Sequence, residues 1–212
     1  MNHVAIMPDG NRRWAKQHGV DKLTAYLTAT TVVEESCLWA IQHNIDKLTY
    51  TIFSTENWRR SQKDIDAVMT AFHQYFVMQI YWYIKHNIKL LYVGRRDRIA
   101  PYLVCDIELF EQLTAHCTAL TLYICFDYNS HDEIVRAIAS GARTEEELDA
   151  ALLPAPELII RTGGQHRLSG FLLWQAAYAE LYFLDKLFPD LTPADLDAAL
   201  TWFQQQQRNF GA

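Results

Sequence analysis

Short apolar runs rich in β-branched and aromatic residues recur at positions 4–7, 48–53, 88–93, 120–126 and 158–160, and each reads as a buried strand. Helical patterns fill the intervals. The longest covers 61–87; it opens on the capping-box spacing Ser61-x-x-Asp64 and carries Val68, Phe72, Tyr75, Phe76, Gln79 and Tyr83 at three- and four-residue steps. A further apolar helix is expected from Phe171 through Gln175, and a final helix is expected to contain the polar run Gln204 to Gln207. Alternating strands and helices predict an α/β fold, with a central, mostly parallel sheet flanked by helices in one domain over residues 1–212. In such sheets ligands bind beyond the carboxyl ends of the strands, so polar residues that directly follow a strand are the first candidates for chemistry.

Composition narrows the possibilities. With 212 residues, half of them hydrophobic, the chain can build one sizeable core, and no repeat or low-complexity linker divides it. A net charge of -6 argues against a broad nucleic-acid surface, so any anion site must be local. Cys37, Cys105, Cys117 and Cys125 form no CxxC pair and read as reduced, buried thiols. The N-terminus enters a strand pattern at once and no apolar run reaches spanning length, which together give the expectation of a cytoplasmic protein without a transmembrane segment.

Three strand-end segments stand out. After the first strand comes Pro8-Asp9-Gly10-Asn11-Arg12-Arg13-Trp14, where cations occupy the first turn of a helix against its macrodipole. An anion held there by backbone N–H groups and guanidinium groups explains that order; an ordinary cap by Asp9 or Asn11 with solvated arginines is the alternative. Asp9 beside a diphosphate also suits a hard Mg2+ ion, which is commonly held by one carboxylate and phosphate oxygens. After the second strand, Phe53-Ser54-Thr55-Glu56-Asn57-Trp58 offers hydroxyl, carboxylate and amide groups, although such residues also serve as plain turns. After the fifth, Arg161-Thr-Gly-Gly-Gln-His166-Arg167-Leu-Ser169 places two arginines on a glycine-rich loop, a match for bidentate phosphate binding. Glu180, ahead of another apolar run, reads by itself as a solvated strand-edge residue. No Walker loop or dinucleotide fingerprint is present.

From His3 to Gly211 these segments, in this order and spacing, resemble the cis-prenyltransferase family. The resemblance implies a fold with an apolar tunnel, Mg2+ as cofactor and isoprenoid diphosphates as substrates. It implies that Asp9 binds Mg2+ and helps an allylic diphosphate leave, with Gly10, Asn11, Arg12, Arg13 and Trp14 nearby, and that Arg161, Arg167 and Ser169 take isopentenyl diphosphate. Ser54, Thr55, Glu56, Asn57, Trp58 and Arg60 would orient substrate, and His166 and Glu180 would be further metal contacts. The resemblance also implies a homodimer in which Arg208 and Gly211 reach the neighbouring site.

The chain departs from the family's pattern at several places. Lys22 and Ala25-Tyr26 stand where the family has an arginine and a Gly-His pair; Asp127-Tyr-Asn-Ser-His131 replaces Asn-Tyr-Gly-Gly-Arg; and Gly170 replaces an asparagine. Pro8, Arg12 and Tyr26 resemble instead the lavandulyl-type branch, which couples two dimethylallyl diphosphates irregularly. Ile52, Tyr75, Phe76, Trp82 and Phe126 crowd the expected tunnel and suggest a short product. The leading expectation is a short-chain enzyme that joins isopentenyl diphosphate to dimethylallyl or geranyl diphosphate. Irregular head-to-middle coupling comes second, and a noncatalytic partner subunit third, disfavoured by the retention of Asp9, Arg13, Arg161 and Arg167.

Overall fold

The computed structural model describes residues 1–209, apart from the side chain of Phe76, so the expectations for Gly211 and for the Phe76 ring lie outside the described residues. Six strands, β1 His3–Met7, β2 Lys47–Ser54, β3 Ile88–Val93, β4 Leu120–Tyr128, β5 Leu158–Arg161 and β6 Glu180–Phe183, form one sheet of order β3-β4-β2-β1-β5-β6. All neighbours are parallel. Helices α1 (Asn11–His18), α2 (Lys22–Gln42), α3 (Gln62–Lys85), α4 (Pro101–Thr114), α5 (Ser130–Ala139) and α6 (Glu145–Ala151) lie in the connections from β1 to β5, a loop joins β5 to β6, and α7 (Pro193–Gln204) follows β6.

Both faces of the central strands are covered, which is why they read as unbroken apolar runs rather than as alternating ones. Val4 and Ile6 point into the larger core with side chains of α2, α3, α4 and α7, while Ala5 and Met7 join a smaller cluster with Ile159, Phe171 and Leu172. The order also has a switch point. From β1 the chain moves to one side of the sheet, and β5 and β6 lie on the other side, so the loops after β1 and β5 part and leave a crevice at their carboxyl ends.

The helix expected over 61–87 forms as α3, with Ser61 as its N-cap accepting from the Asp64 N–H at 3.3 Å. The apolar stretch from Phe171 does not form a helix: Ser169, Gly170 and Leu172 all have left-handed backbone, which breaks helical propagation. Its apolarity comes from burial of Phe171 and Leu172 in a turn, which the Ser130 hydroxyl holds by accepting from the Leu173 N–H at 3.0 Å. Likewise α7 ends at Gln204 and Gln205 to Gln207 lie past it, and Cys105, expected buried, is exposed on α4. No helix among the described residues is long and apolar enough to cross a membrane.

His3 is 2% exposed, its Nε2 lies 2.7 Å from the Thr49 hydroxyl, and burial lowers its pKa from 6.5 to about 4. The folded state therefore holds His3 neutral where the unfolded chain would protonate it. Stability is fully present above pH 6.5 and falls as pH drops toward 4, by an amount on the order of 3 kcal/mol from this residue. Urea titrations of wild type and His3→Gln between pH 7 and 4 check this, with a shallower decline expected for the variant.

Candidate active site

The switch-point crevice is built from the loops after β1 and β5. Thr162, one residue past β5, donates its hydroxyl to the Asp9 carbonyl at 3.0 Å and accepts from the Asp9 N–H at 2.9 Å, which pins the two loops together. Gly163 lets them approach: a Cβ there would fall 2.5 Å from Arg13 Nη2 and 3.0 Å from the Asp9 carbonyl. Asp9 then sits between two guanidinium groups, Arg13 Nη2 at 3.2 Å from Oδ1 and Arg161 Nη2 at 3.0 Å from Oδ2. Arg13 also donates to the Gly163 carbonyl at 2.8 Å. Arg161 is 5% exposed; its Nη1 donates to the Ser169 hydroxyl at 3.0 Å and to the Arg167 carbonyl, while its Nε has no partner among the described residues.

Two polar pockets flank Asp9. One is lined by Asp9, Ser54, Asn57, Arg60, Tyr128, Arg161 and Ser169; the other by Asp9, Gly10, Asn11, Arg12, Arg13, Lys16, Lys22, Tyr26 and Arg60. Arg60 belongs to both and has no ion-pair partner among the described residues. Burial pushes its guanidinium down from its ordinary value, with neighbouring Arg12 adding to the effect and the more distant carboxylates of Asp64 and Asp9 opposing it. Pro8 and Ile52 line both pockets and also a third, apolar cleft of about 730 Å³, open mouth included, between the sheet and α2 and α3. Ile52 reaches this junction because the β2–β4 register slips between Thr51 and Phe53, a bulge that re-aims one side chain at the site.

The apolar cleft is walled by Ala29, Val33, Val68, Phe72, Tyr75 and Phe188. Of the residues expected to crowd a tunnel, Ile52 and Tyr75 do so. Phe126 instead lies fully buried in the core, stacked on Phe53 and Phe72, and Trp82 packs on Tyr83 and His86. The Tyr26 hydroxyl and the Asn11 Oδ1 are buried at the cleft without partners among the described residues.

Lys22 does not stand free as a point charge. With Arg12, at 3.3 Å, it pairs with the carboxylate of Asp64 at the start of α3, which joins three helices around one pocket. Asp64 is only 3% exposed, and contact with Lys22 lowers its pKa. Its spacing from Ser61 had a capping explanation in the sequence, so its tie to Lys22 and Arg12 was not legible there. Trp14 turns away from all three pockets, its indole donating to Asp190 at 2.7 Å.

The segment after β2 forms a 3-10 turn over Thr55–Arg59, capped by Ser54 and by the Asn57 side chain, which accepts from the Ser54 N–H at 3.2 Å. Glu56 accepts from Asn129 at 2.7 Å. Trp58 is fixed by an ion pair the sequence did not reveal: its indole donates to Asp127 at 2.8 Å, and Arg98 holds that fully buried carboxylate through Nε at 2.9 Å and through Nη2.

The remaining candidate side chains make no contact with Asp9 among the described residues. His166 stacks on Phe183 with ring centroids 4.8 Å apart, and Arg167 donates to Gln165 at 2.6 Å. Glu180 pairs in register with Leu158, three residues back from Arg161 and so roughly 10 Å along the strands from the site. Arg208 is at that same amino end, donating to the Tyr178 carbonyl at 2.9 Å, with Nε 4.0 Å from Glu180. Among the described residues no group of three or more His, Cys, Asp or Glu side chains could form a metal cage. A lone, one-third exposed carboxylate such as Asp9 suits a divalent ion held jointly with phosphate oxygens.

Comparison with known proteins agrees with this geometry. Residues 6–211 match the family described as "putative undecaprenyl diphosphate synthase". The isoprenyl transferase of Wolinella succinogenes is 36% identical, over all of this chain and 96% of the relative, and that of Neisseria gonorrhoeae is 39% identical, over 99% and 88%. Among solved structures, lavandulyl diphosphate synthase from Lavandula x intermedia, in complex with dimethylallyl diphosphate, superposes with a TM-score of 0.94 at 30% identity, covering 100% of this chain and 98% of that one. A probable undecaprenyl diphosphate synthase from Campylobacter jejuni gives 0.87, also at 30%, with 100% and 99% covered.

The Arg98–Asp127 pair is expected to be costly to break. Arg98→Ala leaves a fully buried carboxylate uncompensated and should lower stability by about 3 kcal/mol or more, read from the denaturant midpoint and slope. Trp58 fluorescence in the folded variant should shift as its acceptor loosens.

Proposed function

The chain belongs to the undecaprenyl diphosphate synthase family of prenyltransferases, and we propose that it is a short-chain cis-prenyltransferase, condensing dimethylallyl or geranyl diphosphate with isopentenyl diphosphate and releasing diphosphate. The observation that carries this reading is the pair of cation-lined pockets that share Asp9 and the unpaired Arg60 and meet one apolar cleft at Pro8 and Ile52. Two anionic head groups and one hydrocarbon tail match that division.

On this reading the allylic diphosphate lies against Gly10, Asn11, Arg12 and Arg13, with its tail in the cleft beyond Tyr26. Isopentenyl diphosphate lies against Arg161 and Ser169, where Arg167 can swing from Gln165. Asp9 would hold Mg2+, which when bound neutralises charge on the leaving diphosphate. Arg13 and Arg60 stabilise the same charge as the allylic carbon–oxygen bond breaks. The apolar wall excludes water while the double bond of isopentenyl diphosphate attacks, forming the new carbon–carbon bond. Asn57 is neutral and so does not serve as a general base for the proton lost in the last step. Glu180 and Arg208, at the amino end of the sheet in one chain, would act only across a homodimer.

A second reading is irregular coupling of two dimethylallyl diphosphates. The higher superposition score with lavandulyl diphosphate synthase supports it, as does the engagement of Lys22 by Asp64, which alters the grip on one diphosphate.

Purified protein with Mg2+ is given dimethylallyl diphosphate alone, then with isopentenyl diphosphate, and the dephosphorylated products are identified by mass spectrometry. Product from the mixture alone supports the proposal, coupling in the first reaction establishes the irregular reading, and no turnover in either, or with geranyl diphosphate as primer, refutes both. Asp9→Ala should cut turnover by about a hundredfold or more while the protein still folds, as read by circular dichroism, and near-normal rates would remove Asp9 from its role.

A further inference from the structure

We propose that Asn129 is a positioning residue for the pocket of Arg161 and Ser169, supplying from the end of β4 the side chain that glycine at position 170 omits. The inference rests on the two-diphosphate reading above and goes beyond it by assigning control of one pocket to a residue outside its lining. Asn129 is 8% exposed and sits between two loops that carry site residues. Its Nδ2 donates to Glu56 Oε1 at 2.7 Å, on the turn after β2. Its Oδ1 accepts from the His131 N–H at 2.8 Å, which caps α5. The same amide is packed against the loop after β5: a Cβ on Gly170 would fall 2.5 Å from Nδ2 and 3.3 Å from Cγ.

That distance is shorter than any real contact, so the asparagine amide occupies the space into which a side chain at 170 would project. Backbone bonds fix the arrangement from the other side, because the Ser130 N–H donates to the Gly170 carbonyl at 2.8 Å. Gly170 adjoins Ser169, whose hydroxyl accepts from Arg161 at 3.0 Å, and Arg161 bonds Asp9. A continuous path therefore runs from Glu56 through Asn129 to the Ser169 hydroxyl and the guanidinium that would grip isopentenyl diphosphate. Asn129 does not itself line the pocket; it packs behind Gly170, which does, and acts by fixing the distance between the loops.

The geometry makes the two positions exchangeable only together. Gly170→Asn adds a side chain where the Asn129 amide already lies, although asparagine tolerates the left-handed backbone at 170 (φ 76). Asn129→Gly removes the donor to Glu56 and opens a void, but glycine is a fair N-cap, so α5 itself loses little. In the double variant an asparagine at 170 refills the void with its amide within reach of Glu56. Asn129→Asp keeps the cap acceptor and the shape, removes the donor, and sets a second carboxylate against Glu56.

The test measures steady-state kinetics with isopentenyl diphosphate and a fixed allylic primer, isothermal titration with inorganic pyrophosphate, and melting temperature for wild type, Asn129→Gly, Gly170→Asn, the double variant and Asn129→Asp. Each single variant should raise the KM for isopentenyl diphosphate about tenfold, leaving the KM for the allylic primer within about twofold, and the double variant should return to within about threefold of wild type. Additive losses in the double variant, equal changes in both KM values, or wild-type behaviour of Asn129→Asp would each overturn the proposal. An inactive wild type would defeat the two-diphosphate reading instead. The pattern of pyrophosphate affinities, weakened in the singles and restored in the double, would still decide the role of Asn129. Melting temperatures separate a variant that fails to fold from one that folds with a displaced loop.

Discussion

A single carboxylate suspended between two guanidinium groups organises this molecule. Asp9 meets Arg13 from the first turn of α1 and Arg161 from a strand 152 positions away, and each contact alone would be an ordinary ion pair. Together they leave two cations poised around one anion, with the unpaired Arg60 beside them. Anionic ligands entering on either side of Asp9 find positive charge already ordered and partly desolvated, so little reorganisation remains for the reaction itself. The cost of collecting these cations is met by the rest of the fold: the Thr162 hydroxyl and the close approach at Gly163 hold the two loops in place without using charge.

The sheet explains why the site lies where it does. With β5 inserted on the far side of β1, the adjacent loops diverge, and the gap is open to ligand but closed beneath by the core. The bulge at Ile52 then gives the polar crevice an apolar exit, so head groups and hydrocarbon are separated by one residue's reach. Asp64 adds a further link, joining α1 and α2 to α3 through Arg12 and Lys22.

Residues departing from the family's pattern are accommodated in sets rather than singly. Asp127, where the family has an asparagine, is fully buried and would be untenable without Arg98, and the same pair fixes the Trp58 indole. Asn129 and Gly170 likewise form one packing unit. Such compensation keeps the positions of the strand-end loops while their chemistry drifts, which is how one scaffold can serve more than one coupling reaction.

The sequence by itself determined five of the six strands, all but the four-residue edge strand β6, together with the long α3, because burial on both faces and helical spacing leave marks within a few residues. The segments that carry Asp9, Arg13, Arg161 and Ser169 drew attention in the sequence because they lie at or beyond strand ends, and the structure brings Asp9, Arg13 and Arg161 into contact. The turn from Phe171 was misread as a helix because apolarity records burial and not backbone handedness, which Ser169, Gly170 and Leu172 decide. Only the tertiary structure decided that Lys22 faces Asp64, that Arg98 neutralises Asp127, that Trp14 leaves the site and that Asn129 fills the space at Gly170. Those contacts join residues 29 to 176 positions apart, and their formation depends on strand order and loop approach, quantities that no local pattern of residues encodes.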